Sequence, residues 1–380
     1  MLDKQELQRY SRHILLPELG IKGQEKLKNA RLLVIGAGGL GSPLLLYLTA
    51  AGIGTIGIVD FDLVDTTNLQ RQIIFGESSI GINKTDAAFK RLTDLNPHIN
   101  FVLHNTRLTS QNALDIIKGY DLVADGSDNF ATHYLVNDAC ILLGKPLVFG
   151  SIYRFQGQVS VFNWPVNVGP NYRCLYPVPP KPDEVPSCSE AGVLGVLPGM
   201  IGSMQANEVI KIVTGIGKPL SGRVLMLDAL TMNIDTIEFE HDEKNPLNGK
   251  NPSITQLIDY QAFCNFESAK KNTTMIKEIT VAELKKKLDN NEDFQLIDVR
   301  EPHEFDICNL NGELIPMGTI LDNVDKVSKD KAVVVHCRSG ARSASVIMEL
   351  QKRFGFTNLY NLKGGITAWA KEIDTKMPTY

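Results

Sequence analysis

The chain of 380 residues sets 39 Lys and Arg against 43 Asp and Glu, for a formal net charge of −4, and is 43% hydrophobic. Such a length exceeds one typical core and implies two domains, the charge leaves no electrostatic footprint for nucleic acid, and no apolar run approaches the ~20 residues that cross a bilayer. Six cysteines without a C-x-x-C pair argue against a disulfide framework, and the charged opening MLDKQELQRYSRHILL lacks a secretory core, so a cytoplasmic chain is expected.

Residues 3–29 read as short helices in which Arg9 and Arg12 lie one turn apart and share a face; spacing alone assigns them to a solvated surface. Residues 31–60, RLLVIGAGGLGSPLLLYLTAAGIGTIGIVD, are the stretch around which the chain is organised. They read as a buried strand over 32–35, a glycine turn, a helix, and a second strand over 55–59 that ends on Asp60. Gly36, Gly38 and Gly41, with Gly39 between them, fit G-x-G-x-x-G. Glycine there allows a tight turn, a close approach of backbone N–H groups to phosphate, and a helix lying close on the sheet. The N-terminus of that helix is then an anion site, and Asp60 is placed to accept hydrogen bonds from ribose hydroxyls. The stretch points to an adenine nucleotide.

Beyond Asp60, Asp62 follows the strand end, and Asn68, Arg71 and Gln72 occupy a polar segment. GINKTDAAFKRL then opens a helix with Lys84 near its start. Cations close behind a phosphate turn suit a triphosphate better than a nicotinamide dinucleotide. Strands are expected over 100–105, 121–125 and 146–151. Asp125 and Asp128 then fall on the same carboxyl edge as the glycine turn, where Asp128 is either a Mg²⁺ ligand or a helix cap. RFQGQVSVFNW alternates as an antiparallel strand with an exposed face would. Residues 171–186, NYRCLYPVPPKPDEVP, are too rich in proline for a helix or a central strand and are expected to form an extended crossing. Cys188 leaves that crossing, ahead of a segment that ends in a helix.

RYSRHILL, GAGGLGS, VDFDLVDTTNLQRQ, GINK, DGSDN and CSEAGVLGVLPGMIGSMQANEVIK together resemble the ubiquitin-activating-enzyme-like adenylyltransferases that serve sulfur carriers, the MoeB/ThiF group. The resemblance covers most of residues 5–235. It implies ATP and Mg²⁺, a small ubiquitin-like sulfur carrier ending in Gly-Gly, and attack of its terminal carboxylate on the α-phosphate. It further implies that Gly38, Gly39 and Gly41 border the phosphates and that Asp60, with Asp62 beside it, holds the ribose. Asn68, Arg71 and Lys84 would bind phosphates, and Asp128 would position the magnesium. Arg12 would reach the triphosphate of a neighbouring subunit in a homodimer, and Cys188 matches a cysteine that in some members links covalently to the carrier. One departure stands out. The family usually carries two C-x-x-C pairs holding zinc, whereas this chain reads Asn171-Tyr172-Arg173-Cys174 at the first location, and near the second only Cys264 is left. No zinc site is expected, and Tyr172, Leu175 and residues 259–266 are expected to close the subdomain by packing.

Residues 241–275 read as a partly structured linker, separating an ATP-binding adenylyltransferase domain over 1–240 from a second domain over 276–380. ITVAELKKKLDN is a capped amphipathic helix, FQLIDVR a strand ending in charge, and KAVVVHC a buried strand that delivers Cys337 into a helix. Cys337, Arg338, Ser339, Gly340, Ala341 and Arg342 form a strand-to-helix turn whose N–H groups and cations favour a thiolate. IDVREPHEF, HCRSGARS and NLKGGITAW resemble a rhodanese domain, in which the cysteine carries a persulfide taken from a sulfur donor. Asp298 and Arg300 fit supporting roles. Cysteine-dependent phosphatases need an arginine six residues on, but here Arg342 is five on and Ser343 is sixth. The expected fold is α/β: a Rossmann-like doubly wound sheet with a mixed continuation, then a smaller α/β rhodanese domain. The expected function is adenylation of a sulfur carrier followed by sulfur transfer. A nicotinamide oxidoreductase fused to a rhodanese domain, and a non-catalytic adaptor that docks the carrier, are the competing readings.

Overall fold

In the computed structural model, which describes residues 1–180, 192–265 and 276–380, the chain divides into two units, Met1–Ser268 and Ala269–Tyr380. The first is built on eight strands: β1 (Arg31–Ile35), β2 (Thr55–Val59), β3 (Asn100–His104), β4 (Leu122–Asp125), β5 (Leu147–Tyr153), β6 (Gln156–Phe162), β7 (Arg223–Asp228) and β8 (Asn233–Glu238). They lie in the order β3-β2-β1-β4-β5-β6-β7-β8, parallel from β3 to β5 and antiparallel from β5 to β8. Because strand order reverses between β1 and β4, a crevice opens at their carboxyl ends.

The apolar residues explain why both faces of this sheet are covered. On one face Leu44, Leu45 and Leu48 of helix Gly41–Ala51, Ala88 and Leu92 of helix Lys84–Leu95, and Val209 of helix Leu197–Thr214 pack onto Leu32, Val34 and Ile58. On the other, Tyr134, Leu135 and Val136 of helix Phe130–Leu142 pack onto Leu33, Ile35 and Val123. Helix Gly41–Ala51 stops at Gly52, whose φ of 89° is a left-handed conformation that glycine adopts without a Cβ penalty.

Three expectations are corrected here. β6 has no exposed face over Val159–Phe162: Val159 packs with Leu197 and Ile201, Val161 with the sheet core, and Phe162 with Phe149 and Tyr172. A helix covers one side and an aromatic cluster the other, which alternation read without its neighbours does not reveal. The proline-rich crossing begins with a helical turn, Tyr172–Leu175, capped by the Asn171 side chain accepting from Arg173 N at 2.9 Å. Its first proline is Pro177, so nothing forbids helix before it. Residues 241–265, read as linker, belong to the first unit, where helix Tyr260–Asn265 packs on helix Phe130–Leu142.

The second unit is a five-stranded parallel sheet of β9 (Lys277–Ile279), β10 (Phe294–Asp298), β11 (Glu313–Leu314), β12 (Ala332–His336) and β13 (Leu359–Leu362), ordered β11-β10-β12-β13-β9. Thr280 and Glu283 form a reciprocal capping box at the start of helix Val281–Asp289, as the sequence pattern requires. Helices lie on both faces of the sheet, so Val333, Val334 and Val335 of β12 are fully buried although they alternate sides. No helix among the described residues is long and apolar enough to cross a membrane.

Candidate functional site

At the carboxyl ends of β1, β2 and β4 lies a cavity of about 590 Å³ lined by Gly38, Gly39, Asp60, Asp62, Arg71, Lys84 and Asp128, among others. The glycine turn is as tight as the sequence requires. Gly36 has φ +86°, and a Cβ on Gly41 would lie 2.0 Å from the Gly36 carbonyl oxygen. Asp60 ties the turn to β2: its carboxylate accepts from Ala37 N at 2.8 Å and from Asp62 N at 2.9 Å. Lys84, almost fully buried, meets the half-exposed carboxylate of Asp62 at 3.1 Å. Arg71 donates to the Thr67 carbonyl at 3.0 Å, which leaves the rest of its guanidinium for an anion. Asn129, rather than Asp128, caps helix Phe130–Leu142 by accepting from Thr132 N at 2.9 Å. Asp128 therefore stands at the cavity with its capping alternative taken by its neighbour. Below it, His133 pairs with the buried Asp125 at 2.8 Å. Burial works against the Asp125 carboxylate, but His133 together with the hydrogen bonds from Ser127 holds the group below its ordinary range.

Not every expected residue converges. Gly41 stands behind the turn. Asn68 is not among the cavity-lining residues, since its side-chain carbonyl accepts from Asp65 N at 3.2 Å. Arg12 is exposed on a separate short helix, because the chain turns at the buried Tyr10 between Lys4–Arg9 and Ser11–Ile14. Arg9 donates to the Leu95 carbonyl at 3.0 Å. Cys188 lies outside the described residues. Conversely, the cavity includes Phe61, Arg107, Gln72 and Cys264, to which sequence reasoning assigned no role in it. The Arg107 guanidinium lies over the Phe61 ring at 4.0 Å from its centroid, and the buried Gln72 Oε1 has no hydrogen-bond partner among the described residues. Burial pushes the Cys264 thiol up to about 11. Arg107 follows the end of β3 on the same sheet edge, and that position was its available signal.

In the second unit Cys337 lies at the end of β12, fully buried, at the floor of a short loop. Its Sγ accepts from Gly340 N at 3.1 Å and lies 3.5 Å from Ser343 Oγ. Gly340, at φ +97°, turns the chain into helix Ala341–Phe354. Arg342 grips Glu304 through two bonds of 2.6 and 2.7 Å, while the buried Arg300 is held by Asp298 at 2.6 Å. Burial alone would raise the Glu304 carboxyl, but the Arg342 contact reverses this and draws it down to about 2. Burial keeps the neighbouring His336 uncharged, lowered to about 4.

A model of the ThiF family matches residues 10–248, and one of the Rhodanese-like domain matches 280–372. The chain belongs to the ThiF family. This ThiF-family chain is 49% identical over its whole length, and 96% of the relative's, to a probable adenylyltransferase/sulfurtransferase MoeZ of Mycobacterium tuberculosis. It is 42% identical, over all of its length and 90% of the relative's, to adenylyltransferase and sulfurtransferase MOCS3 of Culex quinquefasciatus. A sulfur carrier protein adenylyltransferase of Thermus thermophilus matches 69% of the chain at 52% identity, over 97% of its own length. Among solved structures, E. coli MccB with ATP shares the fold at a TM-score of 0.57 and 22% identity, covering 65% of this chain and 75% of its own. The chain is thus an enzyme that joins adenylyltransferase and sulfurtransferase activities.

Among the described residues no group of three or more His, Cys, Asp or Glu side chains could hold a metal ion, and Cys174 is occupied otherwise. Asn245 Nδ2 meets the Cys174 sulfur at 3.1 Å, and the backbone N–H groups of Asn171 and Asp242 donate to it at 3.5 and 3.4 Å. Asn171 in turn accepts from Asn245 Nδ2 at 3.0 Å and donates to Asn248 Oδ1 at 2.9 Å. One thiol among three carboxamides does not suit zinc. Asp242 and Asn245 thus supply contacts of Cys174 from the later part of the unit, while Cys264 packs with the core beside Tyr134 and Tyr172. Tyr172 and Leu175 pack in the same cluster as Tyr260 and Phe263.

Proposed function

We propose that the first unit adenylates the C-terminal glycine of a small ubiquitin-like sulfur carrier and that the second supplies the sulfur that displaces AMP. The observation that carries this reading is one chain holding both a glycine-turned cavity with Lys84 and Arg71 on its wall and a cysteine at the floor of an N–H-lined, arginine-flanked loop. No side-chain nucleophile is needed in the first step. The carrier carboxylate attacks the α-phosphorus of ATP, the bond to the bridging oxygen breaks, and pyrophosphate leaves. Catalysis is then alignment plus neutralisation of phosphate charge.

In this reading the backbone at Gly38 and Gly39 borders the phosphates, the turn being kept tight by Gly41, and Asp60, with Asp62 beside it, holds the ribose. Arg71 and Lys84 bind phosphate, and Asn68 reaches it by giving up its contact with the Asp65 amide. Asp128 is the residue assigned to Mg²⁺, whose charge would offset that of the phosphates. Arg12 completes the site of a second copy in a homodimer. In the second unit the Cys337 thiolate attacks the outer sulfur of a sulfane donor. With thiosulfate, the S–S bond breaks and sulfite leaves with the electron pair. The persulfide then attacks the acyl-adenylate carbon, AMP departs, and a thiol reductant cleaves the resulting acyl disulfide to release the carrier thiocarboxylate. The assigned setting is cytoplasmic, in molybdenum cofactor or thiamine biosynthesis or a related thiolation.

The test is pyrophosphate release with ATP, Mg²⁺ and a Gly-Gly carrier. Release should depend on the carrier and fall by about 10²-fold or more in Arg71→Ala, the scale for losing one transition-state donor. Release that ignores the carrier, or an Arg71→Ala rate equal to wild type, would refute the reading.

A further inference from the structure

The wall of the first unit's cavity beyond β3 takes no part in the phosphate and ribose contacts assigned above. The glycine turn follows β1, and Asp60 stands at the end of β2. The next strand outward is β3, and the chain leaving it brings Thr106, Arg107 and Leu108 to the same cavity. Two strand spacings, roughly 10 Å, separate β1 from β3, which matches a nucleoside phosphate laid across the strand ends. On this wall the Arg107 guanidinium lies over the Phe61 ring, 4.0 Å from its centroid. Phe61 follows Asp60 directly in the chain and is 45% exposed, so the pair stands at an open surface rather than in a core. Asn112 Nδ2 donates to the Arg107 carbonyl at 2.9 Å, while Asn112 Oδ1 accepts from Thr109 N at 2.8 Å. Those two bonds pin the backbone that carries the guanidinium. A planar cation seated on one ring presents its other face to a second flat π-system.

We propose that Arg107, backed by Phe61, is the base-stacking residue of the nucleotide site: the purine ring lies on the guanidinium, which itself lies on the phenyl ring. This deepens the adenylation reading and rests on it. The order along the strand ends carries the assignment, with phosphate at β1, ribose at β2 and base at β3. Stacking uses the plane of the guanidinium, whereas contact with phosphate would use its charge. Because the base is remote from the reacting α-phosphorus, it is held equally in ground state and transition state, and its loss falls on KM rather than on kcat.

The test is carrier-dependent pyrophosphate release by the full chain, with the KM for ATP measured beside inhibition by AMP and by inorganic tripolyphosphate, which has no base. Arg107→Ala should raise the KM for ATP roughly tenfold, the scale of one lost base stack, and leave kcat within about twofold. Inhibition by AMP should weaken by a similar factor, and inhibition by tripolyphosphate should not change. Arg107→Lys keeps the charge without the plane and should lose nearly as much as Arg107→Ala. Phe61→Leu should show a smaller loss, and the double variant should be no worse than Arg107→Ala alone, because the two residues act through one stack. An unaltered KM in Arg107→Ala, full recovery in Arg107→Lys, or weaker inhibition by tripolyphosphate would overturn the proposal. A wild type without carrier-dependent release would overturn the adenylation reading and this proposal with it, whereas an active wild type separates the two.

Discussion

Glu304 shows how one carboxylate can carry both stability and site geometry. Its folded pKa, about 2 against an ordinary 4.5, means that its contribution is complete above about pH 4.5 and is lost as pH falls toward about 2. Glu304→Gln should therefore cost about 2 kcal/mol at pH 7, allowing for partial solvent screening, and the gap from wild type should close over that window. Urea unfolding followed through the buried Trp369 in a Trp164→Phe background measures this in the second unit; a gap that does not depend on pH would contradict it. At this scale the sequence was legible as placement where chemistry repeats a spacing: Gly38, Asp60 and Lys84 line one cavity, and Cys337 follows β12. It was not legible where a role is decided by a distant partner. Arg173 is almost wholly buried because Asp138 takes it through two bonds of 2.8 and 2.7 Å, while Tyr260, 122 positions from Asp138, donates to the same carboxylate at 2.8 Å. Nothing local to any of the three announces that network. The Tyr380 hydroxyl, which accepts from Arg300 at 2.6 Å and donates to Glu304 at 2.9 Å, was missed for the same reason.

Elements bounded by strong local signals were read closely. β2 matches the expected 55–59, and the helix that Thr280 caps begins at the next residue. β6 was misjudged because its burial is imposed by helix Leu197–Thr214 and by Phe149, neither of which is its sequence neighbour. The loop around Cys174 makes the same point about chemistry. The Asn245 carboxamide and the backbone amides of Asn171 and Asp242 meet the sulfur, and the Asn171 side chain ties Asn245 to Asn248. Purified protein should accordingly contain no stoichiometric zinc, and prolonged chelation should leave its melting temperature unchanged. Elemental analysis and a melting curve with and without chelator decide this; one tightly held zinc per chain would count against it.

For the whole molecule, the two units have separate sheets and separate cores, in keeping with a division of labour along the chain. If the division holds, Cys337→Ala removes sulfur transfer while leaving activation intact. With ATP, Mg²⁺, carrier, thiosulfate and a thiol reductant, the variant should release pyrophosphate at the wild-type rate and yield no carrier thiocarboxylate by mass spectrometry. Thiocarboxylate formed by Cys337→Ala from thiosulfate would show that the sulfur travels by another route. The two-domain plan was readable because each half carries its own glycine or cysteine turn between a buried strand and a helix. The attachment of residues 241–265 to the first unit was not, since it rests on contacts of Tyr260 and Phe263 with residues more than a hundred positions earlier.

Cys337 is wholly shielded from solvent in its resting loop. On the proposed reading of Cys337, peroxide and sulfur donor must therefore wait for the same opening, and the resting loop keeps that sulfur from both. Damage to this sulfur should then accumulate with use rather than with age.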